Sequence, residues 1–325
     1  MLPSLPQDIF VHILDSLDAQ YISDSENSDI WHPGRVSTLR NITLTSRTLC
    51  AFAQPRLFAH IDFDVRRDAQ SRAARLLRYF AQEEGDGANL PRNESKNRRI
   101  EAIRSFRLRD GRGASEIYIP KTHWKPDLST PLGRLLALFV DAPYLRMFAY
   151  EGDLWTLAGA GELVGYQEYI YIMSSKPSLR VLALTNACDI SIDVFFNLQS
   201  RRQSTTGVRT LHISNVTFIS EGRARDSAEC ATASAITHPI EHLQFGRLNY
   251  AQFFDMLQIR YNSTASPPLV PPLPDTGTLF HRLRSLSVAL SVVPEQMAAL
   301  WNIVYGLRET LEHLQLRSYE SISGT

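Results

Sequence analysis

Leu179-Arg180-Val181-Leu182-Ala183-Leu184 is the stretch whose reading decides how this chain folds. Leu182 and Leu184 lie two apart, on one face of a strand, because strand side chains alternate with a period of two. The same apolar spacing recurs at Ile103/Phe106/Leu108, Leu145/Phe148/Tyr150, Val208/Leu211/Ile213, Ile240/Leu243/Phe245, Leu283/Leu286/Val288 and Leu311/Leu314/Leu316. Stretches with helical period precede or separate these units: Ala73/Leu76/Leu77/Phe80, Leu132/Leu135/Leu136/Phe139, Val194/Phe195/Leu198, Phe253/Phe254/Leu257 and Met297/Leu300/Trp301/Val304. Alternating strands and helices predict an α/β fold with a parallel sheet.

Strand then helix, repeated, resembles a leucine-rich-repeat solenoid, and that resemblance implies an irregular horseshoe. Successive units start roughly 28 to 43 residues apart, against about 20 to 29 in regular repeats of that kind. The asparagine or cysteine that follows the strand in the family is replaced by Gly111, Asp153, Ala187, Val216, Leu248, Ser291 and Tyr319, so no asparagine ladder is expected. A doubly wound sheet is the alternative that the same alternation allows.

The N-terminal segment has a different character. It reads Leu5-Pro6-Gln7-Asp8-Ile9, then Ile13-Leu14 and Leu17, and closes with Leu44-Thr45-Ser46-Arg47 and Pro55-Arg56-Leu57-Phe58. Pro6 suits the first turn of a helix, where its missing N–H costs nothing, and Asp8 faces the positive end of the helix dipole. Ile9, Ile13, Leu14 and Leu17 fall along one helical stripe. A second helix is expected from about Leu44 to Gln54, with Leu44, Leu49, Phe52 and Ala53 inward and Pro55 ending it. The polar run Ser23 to Asp29 reads as a loop.

These N-terminal motifs resemble the F-box in the variant common at the start of fungal proteins. The resemblance implies a contact with the Skp-type adaptor of an SCF ubiquitin ligase, and through it with a cullin scaffold. It also implies that Leu5, Pro6, Ile9, Ile13, Leu14 and Leu44 lie in or under that contact. A segment of this size buries a low fraction of its surface alone, which fits a partner covering part of the stripe.

Composition narrows the alternatives. The chain has 325 residues, 44% hydrophobic and 21% charged, with zero formal net charge. No basic excess argues for nucleic acid, no apolar run reaches membrane-spanning length, and the first residues lack the basic start of a secretory signal. Cys50, Cys188 and Cys230 are few and scattered, which fits a reducing compartment, cytoplasmic or nuclear. Cofactors and metals are not expected. His238 and His242 have a metal-like spacing, but Pro239 and the expected strand destroy the one-face helix geometry that such a pair needs. Gly159, Gly161 and Gly165 miss the dinucleotide spacing, and no Walker A loop or nucleophile elbow occurs, so no enzymatic activity is expected. The proline-rich run Pro267 to Pro274 reads as a surface loop of polyproline character.

On the opposite face of each strand, the residues between the apolar ones point outward: Arg107, Arg109, Met147, Glu151, His212, His242, Gln244, His313, Gln315 and Arg317. Solenoids present such a concave face to partners, so these are the expected client contacts. The expected organisation is an F-box over residues 2–58, a connecting strand, helix and polar loop over 59–102, and a solenoid over 103–325 without a C-terminal cap, as in a shortened form of a longer repeat protein. The expected function is substrate recognition in an SCF-type ligase. The alternative is a non-catalytic F-box scaffold outside ubiquitin transfer.

Overall fold

The computed structural model describes residues 9, 11–14, 16, 33–65, 68–81, 99–110, 128–152, 167–192, 194–195, 207–219, 240–246, 250–255, 257, 280–290 and 294–317. Their elements run, in chain order, α1 (Pro33–Thr45), α2 (Arg47–Ala59), β1 (His60–Asp64), α3 (Ala69–Ala81), β2 (Ser105–Arg109), α4 (Pro131–Asp141), β3 (Met147–Glu151), α5 (Gln167–Ser174), β4 (Val181–Ser191), β5 (Thr210–Ile219), β6 (His242–Phe245), β7 (Ser285–Ala289), α6 (Pro294–Gly306) and β8 (His313–Arg317). Residues 9, 11–14 and 16 are helical as well.

The strands form one eight-stranded parallel sheet in the order β1-β2-β3-β4-β5-β6-β7-β8. This corrects the expectation of a helical F-box followed by an irregular leucine-rich-repeat solenoid or horseshoe. The fold is α/β with a single sheet, and β1, read from sequence as part of a connecting segment, belongs to that sheet and starts one residue after α2. The physical reason is that the apolar triplet records only which strand residues are buried. Any parallel sheet flanked by helices buries the same positions. Spacings of roughly 30 residues or more are also ordinary for a strand–helix–strand unit. The described strand order reverses nowhere, so among the described strands there is no switch point of the doubly wound kind.

The chain divides into two compact units, Met1–Leu108 with Pro126–Arg146, and Arg109–Lys125 with Met147–Thr325. In the first, Leu14, Leu39 and Ala53 make a small buried cluster, with Ile42, Phe52 and Leu57 packed against it. Ser46 caps α2, its Oγ accepting from the Leu49 N–H at 3.2 Å, a bond that satisfies one of the orphan donors at a helix start. Three local expectations are corrected here. Helix α1 was not foreseen, Leu44 is 78% exposed near its end rather than inward, and α2 runs through Pro55 to Ala59. Pro55 lacks the N–H of a regular helical turn. Arg56 Nη1 donates back to the Phe52 carbonyl at 3.2 Å, and Leu57 packs on the cluster beyond the proline, so tertiary contact outweighs the local break.

Elsewhere in this unit Gln70 of α3 accepts from the Leu132 N–H at 3.0 Å, and Thr130 Oγ1 from the Gly133 N–H at 3.1 Å, so the first turn of α4 is capped twice. Phe106 of β2 stacks on Phe139 of α4 with centroids 4.0 Å apart.

In the second unit the pairings β3–β4, β4–β5, β5–β6, β6–β7 and β7–β8 are all parallel. Strands β4 and β5 bend at Asn186 and Asn215, whose φ angles of 51° and 54° are in the left-handed region that asparagine tolerates better than most residues. Asn215 Nδ2 donates to Asn186 Oδ1 at 3.0 Å, joining the two bends. The pair stands one residue before Ala187 and Val216, the positions that carry no ladder asparagine. A β-carbon on Gly152 would meet the Asn186 carbonyl oxygen at 2.2 Å, so glycine is required where that bend passes.

Beneath β5 and β6, Phe253 makes ring contacts with Phe195, Phe218, Phe245, Phe254 and Phe280 at centroid distances of 5.1 to 6.5 Å. Most are edge-on or tilted, the geometry aromatic quadrupoles favour. Phe253→Ala should lower unfolding free energy by about 3–5 kcal/mol in denaturant titration, because the surrounding rings cannot all close into the space. Asn215→Ala should cost about 1 kcal/mol by the same measurement, for one hydrogen bond lost at a strained bend.

Candidate functional site

Register places the second unit's side chains opposite the apolar triplets in rows. One runs Met147, Val181, Thr210, His242, Ser285, His313, and the next Ala149, Ala183, His212, Gln244, Ser287, Gln315. Both rows begin apolar or small at β3 and β4 and become polar from β5 onward. Within the second row His212 and Gln244 share a side-chain hydrogen bond. Ser287 Oγ donates to Gln315 Oε1 at 2.9 Å, and the same oxygen accepts from Arg317 Nε at 3.2 Å and Nη2 at 2.9 Å. Four adjacent strands therefore carry an imidazole, two carboxamides, a hydroxyl and a guanidinium side by side.

Burial depresses the His212 pKa from 6.5 to about 4, helped by the Arg317 guanidinium and by His242, while its bond with Gln244 acts in the opposite sense. His212 is uncharged at neutral pH. Ser285 and Ser287 are buried, so the polar groups of the two rows left to meet a polypeptide are those of His242, Gln244, His313 and Gln315. Among the described residues no group of three or more His, Cys, Asp and Glu could hold a metal ion. His238 lies outside the described residues, as do Gly159, Gly161 and Gly165 and the proline-rich run; His242 is exposed on β6.

The remaining expected client contacts are less uniform. Met147 is 5% exposed at the start of β3, so the expectation that it meets a client is corrected: its side chain is buried. Glu151 is half-buried at the end of the same strand, where its carbonyl accepts from the Asp110 N–H at 2.8 Å. His313 and Gln315 are exposed, and Arg317 is half-buried. Arg107, in the first unit, pairs with Asp62 at 2.6 Å, and Arg109, in the second, is half-buried. Sequence reasoning missed Ser285 and Ser287, which continue both rows. Their alternation with Leu286 and Val288 was the available signal, but two small hydroxyls in an apolar strand read as packing.

The first unit also holds His60, whose Nδ1 lies 2.7 Å from Ser105 Oγ. Burial lowers its pKa to about 3, reinforced by Arg35 and Arg104. Ser105 is 1% exposed, so the pair is closed to a substrate and serves to join β1 and β2.

At the N-terminal helices, Leu5 and Pro6 lie outside the described residues. Ile9, Ile13 and Leu44 are 41%, 46% and 78% exposed, whereas Leu14 is 2% exposed within the buried cluster. Leu14 therefore holds the helices together from inside, and Ile9, Ile13 and Leu44 remain open to solvent. No protein-family model matches the chain, and no curated protein matches its sequence. Among the described residues, no helix is long and apolar enough to cross a membrane.

The two histidines give stability a definite pH dependence. Both folded-state pKa values lie below the unfolded value of 6.5, so the unfolded chain binds more protons at lower pH. Their contribution is full above pH 6.5 and is lost as pH falls toward about 4 for His212 and about 3 for His60. Urea unfolding across that window should show a loss of up to about 1.4 kcal/mol per pH unit for each histidine, flattened by His60→Gln or His212→Gln.

Proposed function

We propose that this chain is the substrate-recognition subunit of an SCF-type ubiquitin ligase, with its N-terminal helices docked on a Skp-type adaptor and its parallel sheet presenting a client. The observation that carries the reading is the exposure of Ile9, Ile13 and Leu44 on helices whose motif order resembles the F-box. Large aliphatic side chains left in water beside a core as small as Leu14, Leu39 and Ala53 are what a partner helix would cover. The hydrogen-bonding rows on β5 to β8 supply a separate surface for the client. Ubiquitin transfer is carried out by other subunits on the cullin scaffold, in the cytoplasm or nucleus.

Adaptor capture by the purified full chain tests the first half of this reading. Leu44→Asp changes a residue 78% exposed, so the fold should be retained while adaptor affinity falls about tenfold or more. Ile9→Asp/Ile13→Asp should act in the same direction. Leu14→Ala should instead destabilise the helices by about 2–5 kcal/mol. A well-folded wild type that does not bind the adaptor would remove the ligase reading.

A further inference from the structure

We infer that Arg104 and Arg146 receive a carboxylate carried by an acidic segment of a partner protein. The proposal does not rest on the adaptor contact. Both residues belong to the first unit and stand immediately before β2 and β3. The Arg146 N–H donates to the Arg104 carbonyl at 2.7 Å, so the two are neighbours across the ladder, with backbones about 4.8 Å apart. Within the second unit the same backbone bond, at 2.8 Å, sets Glu241 beside Arg209 and Glu312 beside Arg284. There each arginine meets its glutamate: Arg209 Nη1 lies 3.4 Å from Glu241 Oε1, and Arg284 Nη1 lies 3.7 Å from Glu312 Oε1. Arg180, the neighbour of Arg209 on its other side, donates from Nη1 to the Gly207 carbonyl at 3.3 Å. In the first unit a second arginine, Arg146, takes the place of the glutamate.

The two guanidinium groups are left with donors to spare. Arg104 Nη1 donates to the Glu101 carbonyl and, at 3.3 Å, to the Ile103 carbonyl, while its guanidinium lies over the Tyr144 ring, 5.3 Å from the centroid. Those contacts fix the plane of the group and leave Nε and Nη2 without a hydrogen-bond partner among the described residues. Arg146 is exposed, and its side chain makes no hydrogen bond or ion pair among the described residues. Burial and then the Arg146 charge lower the Arg104 pKa, and the opposing pulls of Tyr144 and Glu101 rank below them, so Glu101 does not balance the second guanidinium. Arg35, 1% exposed, acts together with Arg104 on His60, which adds a third positive charge to this end of the strands. Side-by-side guanidinium groups offer the forked donors that bind a carboxylate. The second unit identifies the acid that suits this position as a glutamate. A single exposed ion pair contributes little, so the occupant is a segment with several acids rather than one isolated carboxylate. Tyr144, 52% exposed, supplies an aromatic face beside the charges, and tyrosine with arginine is the composition of protein contacts.

Fluorescence anisotropy of a labelled oligoglutamate peptide, titrated with the full chain, should show binding that weakens as salt is added, and an oligoglutamine peptide should not bind. Arg146→Glu supplies the acid that the second unit carries at this position, so it should weaken oligoglutamate binding about tenfold or more with an unchanged unfolding midpoint. Arg146→Gln should act in the same direction by a smaller factor. Three controls should leave the affinity unchanged: Arg284→Gln, whose arginine already has its glutamate; Arg75→Gln/Arg78→Gln, at exposed sites on α3; and Ile9→Asp/Ile13→Asp, which tests the adaptor contact alone. A folded wild type that does not bind oligoglutamate would overturn the proposal. So would binding that Arg146→Glu leaves intact, an equal loss in the α3 variant, or a preference for an oligothymidylate, which would assign the two arginines to nucleic acid.

Discussion

The parallel ladder fixes every other feature of the second unit, because adjacent strands in it must keep their apolar triplets in register. From Leu145/Phe148/Tyr150 to Leu283/Leu286/Val288 each triplet is buried, and a slip of one residue in any strand would turn that face to solvent. Register in turn decides what stands beside what on the opposite face. His212, Gln244, Ser287 and Gln315 become neighbours only because Leu211, Leu243, Leu286 and Leu314 are aligned behind them. The hydrogen-bonded row is thus a consequence of core burial, and its rigidity comes from the sheet.

The same constraint explains the two bends. Strands β4 and β5 are longer than their neighbours and carry a register shift between Ala187 and Ile190, with Asn186 and Asn215 left-handed just before the second half of each strand. Ala187, Ile190, Val216 and Phe218 are then buried in a second apolar layer beyond the bend. Phe218 reaches the Phe195 and Phe253 rings there. An asparagine pair that hydrogen-bonds across the bend keeps both strands turning together.

The N-terminal helices follow a different logic. Their buried cluster is small, one buried cation, Arg35, is spent on the Arg56 carbonyl at 3.4 Å, and several large aliphatic residues stay in water. Such a segment gains stability from whatever covers it. The proposed adaptor contact rests on this property: apolar side chains that the helices themselves leave open.

The sequence by itself determined the strands and most helices. Triplet spacing located β2 to β8, and helical period located α3, α4 and α6, because both are local patterns set by which side chains must leave water. It also marked His212, Gln244 and Gln315 as residues off the buried pattern, whereas it put Ile9 and Ile13 on an apolar stripe and Leu44 inward. Tertiary structure decided the rest. A triplet cannot say whether its strand belongs to a repeat or to one continuous sheet, nor that β1 joins that sheet, since strand order depends on pairing between distant residues. Helix α2 passes Pro55, with Leu57 packed on the cluster beyond it, and Met147 is buried at a position that alternation alone assigns to the outward face. The depressed pKa values of His60 and His212 were likewise invisible in sequence, because they arise from burial and from guanidinium groups that only folding brings near.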